Sequence, residues 1–228
     1  MLLRQQPEPP IETTAEADTM KRTRLTLVLC ILLLPLTACA TEPPAKVGRV
    51  LEAGTNKPIA GAIVIARWKG FMPAPGHGST LCYHVESAVT NAEGVYRISA
   101  WHEDLQHAIL QDKTIYIDAY KSGYVRSQEF YKQQSYRQGI ELMEGFKGTR
   151  EERLEYLLRL DEATSCAEAG SSSANLLSLE RSLYQEARSL ALTKEDMKAV
   201  EVLLFGLESQ QFGSMEALRR MNERRSIR

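Results

Sequence analysis

Near residue 147 the hydrophobic pattern changes period, and this limits the chain more than any other feature. Before that point apolar residues recur at every second position, as one face of a strand requires. Ala62, Val64, Ala66 and Trp68 fall on one face of an extended segment, and Ile63, Ile65 and Arg67 on the other. Leu81, Tyr83, Val85, Ser87 and Val89 alternate with Cys82, His84, Glu86 and Ala88. Shorter runs carry Val95, Tyr96 and Ile98, then Ile115, Ile117 and Ala119, with weaker ones at 124–131 and 138–144. Turn residues separate them at 54–58, 73–76, 91–94 and 122–123. No helical pattern lies between these strands beyond a short turn at 102–109, which argues for an antiparallel sandwich and against a βαβ sheet.

Beyond the change the period is helical. Thr149 with Glu152 has the form of a capping box ahead of Leu154, Leu157 and Leu158. Leu176, Leu179, Leu183, Ala187 and Leu190 form a second stripe. Thr193 is placed to cap a third helix with Met197, Val200, Leu204 and Leu207 inward, and Ser214 opens a short basic fourth segment. Gly170 to Ser173 reads as the linker between the first two helices. Each stripe is apolar on one side only, so these helices must pack on each other and on the sheets. The fold class is therefore α+β, with strands over 46–146 and a C-terminal region of three to four helices over 147–228.

The 228 residues are 43% hydrophobic and hold 28 Lys and Arg against 29 Asp and Glu. That composition supports a sizeable core and lacks the basic excess of a nucleic-acid binder, so no nucleic-acid partner is expected. One long apolar run exists, Leu25 to Leu36. It is shorter than the roughly 20 residues a membrane-spanning helix needs. Lys21, Arg22 and Arg24 precede it and small residues follow, which is the layout of a secretory signal. The closing Leu36-Thr37-Ala38-Cys39 resembles the lipobox of bacterial lipoproteins. That resemblance implies cleavage before Cys39 and acylation of Cys39, palmitate included. The expected divisions are a misassigned extension at 1–19, a signal peptide at 20–38 and a tether at 39–45. Ala40 follows the lipidated cysteine where inner-membrane retention often uses Asp, so the resemblance favours the outer membrane, facing the periplasm. The membrane is then a partner through the lipid anchor, and the tether, reaching at most about 20 Å, keeps the domain close to it.

Of four cysteines, Cys30 leaves with the signal and Cys39 takes the lipid. Cys82 and Cys166 remain, an even pair in an oxidising compartment, and a disulfide between them is the natural inference. Two unrelated buried thiols are the alternative.

Four clusters then carry a family resemblance: Gly48-x-Val50, Lys57-Pro58-Ile59-Ala60-Gly61-Ala62-x-Val64, Thr90-Asn91-Ala92-Glu93-Gly94-x-Tyr96-x-Ile98, and Gly123-Tyr124. Together they resemble the carboxypeptidase regulatory-like domain over about residues 46–126. The resemblance implies a seven-strand transthyretin-like, or prealbumin-like, β-sandwich. It implies an accessory module without catalytic residues of its own. The long insert Phe71–Leu81 and the helical tail depart from the common pattern.

No catalytic set, cofactor motif or metal motif stands out. His77, Cys82, His84, Glu86, His102 and His107 form a loose group without HExxH or CxxC spacing, although His84 and Glu86 share a strand face. Glu103 and Asp104 are expected to cap a turn. Trp68, Phe71 and Trp101 flank long loops, as core residues or as a platform for a sugar or peptide. Arg219, Arg220, Arg224, Arg225 and Arg228 make a basic end, read as a solvated, frayed helix end or, on a lipid-tethered protein, as a contact for anionic headgroups or lipopolysaccharide phosphates. The sequence reading is a non-enzymatic envelope lipoprotein, a binding or assembly module, with an envelope protein or a glycan as partner. Its expected contact is the 71–81 loop, through Phe71 and His77. The alternative is an envelope hydrolase or metal-dependent enzyme using His77, His84, His102 and His107.

Overall fold

Strand β2 (Ile63–Ala74) is buried at five consecutive positions, Ile63 to Arg67. A strand covered on one face alone would alternate, so β2 must be covered on both. In the computed structural model, which describes residues 45–128 and 139–226, it is the middle strand of a three-stranded sheet. Its neighbours are β3 (His77–Val89) and β5 (Gln111–Tyr120). The second sheet has four strands in the order β4-β1-β7-β6: β4 (Val95–Ile98), β1 (Lys46–Glu52), β7 (Ile140–Gly145) and β6 (Tyr124–Arg126). Val64, Ala66 and Ala119 of the first sheet share one apolar core with Val50, Tyr96, Ile98 and Met143 of the second. Ile63, Ile65 and Tyr120 turn the other way, into a core with the helices. The alternation read from 62–68 thus divides two cores, not core from solvent.

The pairing is antiparallel apart from one ladder. β7 lies beside β1 in parallel, Arg49 opposite Ile140 through Glu52 opposite Met143, so the sheet is mixed where an antiparallel one was expected. β7 pairs antiparallel with β6 and inserts between it and β1, and that position fixes its direction.

The motif residues have structural work. The Thr90 hydroxyl donates to the Ile59 carbonyl at 2.7 Å and accepts from the Ala62 amide at 2.8 Å, which joins two connections in a buried setting. Asn91 Oδ1 accepts from the amides of Glu93 and Val95 at 3.2 and 2.8 Å, closing the turn into β4. Gly94 sits at φ +71°, and a Cβ there would come 2.6 Å from the Val50 carbonyl oxygen.

Four helices follow: α1 (Arg150–Thr164), α2 (Leu177–Leu190), α3 (Lys194–Phe212) and α4 (Ser214–Ser226). Thr149 with Glu152 and Thr193 with Asp196 form the two capping boxes that open α1 and α3. Leu154, Leu157, Leu179, Leu183, Ala187, Val200 and Leu203 bury the inner faces against the three-stranded sheet. Leu203, not Leu204 or Leu207, is the fully buried residue in the middle of α3, because burial there is set by contact with α1 and α2 together. A buried ion pair docks the layer: Arg153 Nε donates to Glu186 at 2.8 Å, and Glu186 also accepts from the Tyr120 hydroxyl at 2.6 Å. Cys82 and Cys166 form a disulfide with Cα atoms 5.0 Å apart, joining β3 to the segment after α1.

Two expectations are corrected. Residues 71–81 are not a loop: β2 and β3 stay paired out to Ala74 and His77, with only Pro75 and Gly76 at the turn. Phe71 pairs with Thr80, its ring covering the place a Cβ of Gly78 would take, so the two glycines at 76 and 78 permit a long hairpin. The 170–173 linker falls in a 3-10 segment, Ala167–Leu176, that is broken at the non-helical Gly170 and lies along β3. Within the basic end, Arg224 makes two bonds to Glu208 at 2.7 and 2.8 Å, and Arg219 and Arg220 bind Glu216. Arg228, the expected signal peptide and the lipobox Cys39 lie outside the described residues. No helix among the described residues is long and apolar enough to cross a membrane.

Candidate binding site

The site begins with a register shift. Trp68 pairs with His84 while Lys69 pairs with Cys82, which leaves Tyr83 as an extra residue in β3. Such a bulge reverses the side-chain alternation along its strand. Cys82 and Val85, three residues apart, therefore share the helix-facing core, although strict alternation would separate them. Tyr83 and His84 both reach a common aromatic cluster. The alternation read from 81–89 holds from His84 onward and fails at Tyr83, where no local signal marks the bulge.

The connection after β4 closes over this place. Trp101 stacks on His84 with ring centroids 3.9 Å apart and planes 9° apart. Trp68 meets His84 edge-on at 5.0 Å and Trp101 at 5.7 Å. A 3-10 turn, Leu105–His107, follows, and brings His107 to 4.8 Å from the Tyr83 ring. On the far side the 3-10 segment Ala167–Leu176 lines the edge of β3. Ser172 Oγ accepts from the Val85 amide at 3.2 Å, and Asn175 Nδ2 donates to the Val85 carbonyl at 2.9 Å. These bonds occupy backbone groups that an edge strand would otherwise offer to another chain. The disulfide anchors this segment directly under His84, whose carbonyl oxygen lies 3.7 and 3.9 Å from the two sulfurs.

Between these walls lies an open cleft of about 410 Å³, bordered by Tyr83, His84, Glu86, Trp101, Asp104 and His107 among others. His84 Nε2 and Glu86 Oε1 are 3.1 Å apart, as their shared face predicts. Burial, and next the nearby His107, hold the His84 imidazole down to about 4, against the opposing pull of Asp104. His84 is thus neutral at pH 7 and donates to Glu86 as a neutral imidazole. Burial pushes the Glu86 carboxyl up, and burial together with Glu103 pushes the Tyr83 phenol up. His107 Nδ1 is buried without a hydrogen-bond partner. Glu103 does not cap the turn but pairs with Lys113 at 2.5 Å, and Asp104 occupies the N-cap position without a side-chain cap bond.

Of the four histidines, the structure brings His84 and His107 to one cleft. His77 is exposed at the hairpin turn opposite Ala74, and His102 is exposed just beyond Trp101. The four histidines of the alternative reading thus divide, two at the cleft and two exposed away from its lining. Among the described residues no group of three or more His, Cys, Asp or Glu is arranged to hold a metal ion. Phe71 and His77 lie on the hairpin arm, outside the cleft lining. Trp68 and Trp101, read as either core or platform, are half-buried and flank the cleft. Sequence reasoning missed Tyr83, Asp104 as a lining residue, and Asn175. The last lies between the 170–173 stretch read as a linker and Leu176, which opens the next helical stripe, so no local pattern could have placed it. Set against protein families, curated proteins and solved structures, the chain finds no match.

Proposed function

We propose that this chain is a lipid-anchored binding module of the cell envelope, a transthyretin-like β-sandwich whose helical tail completes a ligand cleft. The single observation that carries the binding role is the Trp68–His84–Trp101 cluster bordering an open cleft. Aromatic faces beside a few polar groups are the usual composition of a ligand site, and a neutral histidine beside a carboxylate adds directional hydrogen bonding. Support for the transthyretin-like reading comes from the seven strands, in sheets of four and three, among the described residues, and from the turns that Thr90, Asn91 and Gly94 build. Support for an exported protein comes from the Cys82–Cys166 disulfide, a bond that oxidising compartments favour. The lipid anchor and the outer-membrane address rest on Leu36-Thr37-Ala38-Cys39.

The cleft, not the hairpin arm, is the contact we favour. The test places a photo-crosslinking residue at Gln106, which lines the cleft, or at His77, on the arm. In the native envelope, capture from position 106 that Trp101→Ala abolishes supports the reading. Capture from position 77 alone returns the contact to the arm and refutes the cleft.

A further inference from the structure

Every charged side chain that lines the cleft is acidic. Glu86 and Asp104 are the two carboxylates, no Lys or Arg is among the lining residues, and His84 and His107 are the remaining titratable nitrogens. Lys113 of β5 is held by Glu103 at 2.5 Å, so it answers a different carboxylate. The aromatic contribution has the same sign. Ring faces of Tyr and Trp carry negative potential, which attracts an ammonium or guanidinium group within about 6 Å of the centroid. Among the described residues one ring, His84, stacks in parallel on Trp101, and the other rings meet it edge-on or tilted. The polar lining adds Gln106, Ser172 and Asn175, and His107 presents a buried Nδ1 without a partner. The volume, about 410 Å³, suits one small molecule or one side chain.

Resting on the cleft reading above, we infer that the ligand of this cleft is an organic cation, an ammonium or guanidinium group set between Glu86, Asp104 and the Trp101–Tyr83 rings. An anionic ligand would meet two carboxylates and no compensating base. A neutral sugar would use the rings but would leave both charges without a counterpart.

The chain contains two tryptophans, and both belong to this cluster, so selectively excited tryptophan emission reports on the cluster beside the cleft. The mature protein, with its disulfide intact, is titrated at pH 7.5 with Nα-acetyl-arginine amide, spermidine, Nα-acetyl-glutamine amide and cellobiose. The two cations should shift the emission saturably, and added salt should weaken them. The neutral amide and the sugar should do so at least about fivefold more weakly, the ratio expected for one partly exposed ion pair. Arginine amide binding more tightly than spermidine would assign the source as a peptide side chain, and the reverse a free polyamine. The variant Glu86→Gln/Asp104→Asn keeps the shape and the hydrogen-bonding capacity, and its circular dichroism and melting should match the parent. It should lose the cation response about fivefold or more for each charge removed. Cellobiose binding in preference to the cations, or an undiminished cation response in the double variant, overturns the cationic ligand while leaving the cleft in use. No response to any of the four overturns the cationic ligand as well, and with no capture at position 106 the cleft reading falls too.

Discussion

Replacing both Cys82 and Cys166 by Ala should cost far more than the loss of two small buried side chains. The bond links residues 84 apart, and in the unfolded chain it holds a loop of that length closed. The chain-entropy relation assigns such a closure about 4.5 kcal/mol at room temperature. Both cysteines are buried, at 6% and 2% exposure, so the variant also leaves a small void beneath His84. A unit of this size shifts its melting temperature by roughly 2–4 °C per kcal/mol. The double variant should therefore melt roughly 9–18 °C below the parent in scanning calorimetry, and its urea midpoint should fall in proportion. The effect should also be local. Cys166 directly precedes the 3-10 segment whose Ser172 and Asn175 hold the edge of β3, so tryptophan emission should change before the global transition. A loss under about 3 °C would refute the reasoning, because the sheet and the helices would then hold together without the bond.

Other consequences can be read from the buried charges. His84 stays neutral down to about pH 4 in the folded protein, against 6.5 for the free side chain. The unfolded chain then binds the extra proton between those values. Its share of stability is complete above pH 6.5, declines as pH falls and is exhausted below 4, at most about 3 kcal/mol. His84→Gln should flatten that part of the pH–stability curve, measured by urea melts from pH 7 to 4; an unchanged slope contradicts the assignment. Glu180, buried between the helices beside Asp161, is pushed up by burial and by that neighbouring carboxyl. Its stability contribution is present below the ordinary carboxylate range and is lost as pH rises through the raised value. Glu180→Gln should thus melt higher than the parent at alkaline pH and show little difference near pH 4. Arg153→Met leaves the Glu186 carboxylate in a buried site without its cation, and should cost about 3–5 kcal/mol by chemical denaturation; a loss below about 1 kcal/mol would show that water reaches the carboxylate.

The strand region was legible because each of its cues acts over a few residues. Alternation at 62–68 and the Thr90–Gly94 turn lie where they were read, and so do the capping boxes at Thr149 and Thr193. The disulfide followed from cysteine parity, and His84 with Glu86 from their shared strand face. What failed to show was long-range. The parallel β1–β7 ladder depends on where β7 returns, and the Tyr83 bulge depends on how β2 and β3 twist together. The 71–81 stretch carries turn residues at 73–76, and Gly78 beyond them, yet all of it but Pro75 and Gly76 lies in the paired strands, and Phe71 fills the space Gly78 leaves. One wall of the cleft, Gly170, Ser172 and Asn175, comes from a Ser-rich segment whose composition reads as a linker. Its role arises only once the disulfide pins it against β3.

The account's central claim, an exported binding module held to the membrane by lipid, is tested most directly by the intact mass of the protein extracted from membranes. The predicted result is a chain that begins at Cys39, carries acyl mass on that residue, and keeps Cys82 and Cys166 oxidised. A chain that retains residues 20–38, or one that begins at Cys39 without lipid, would contradict it.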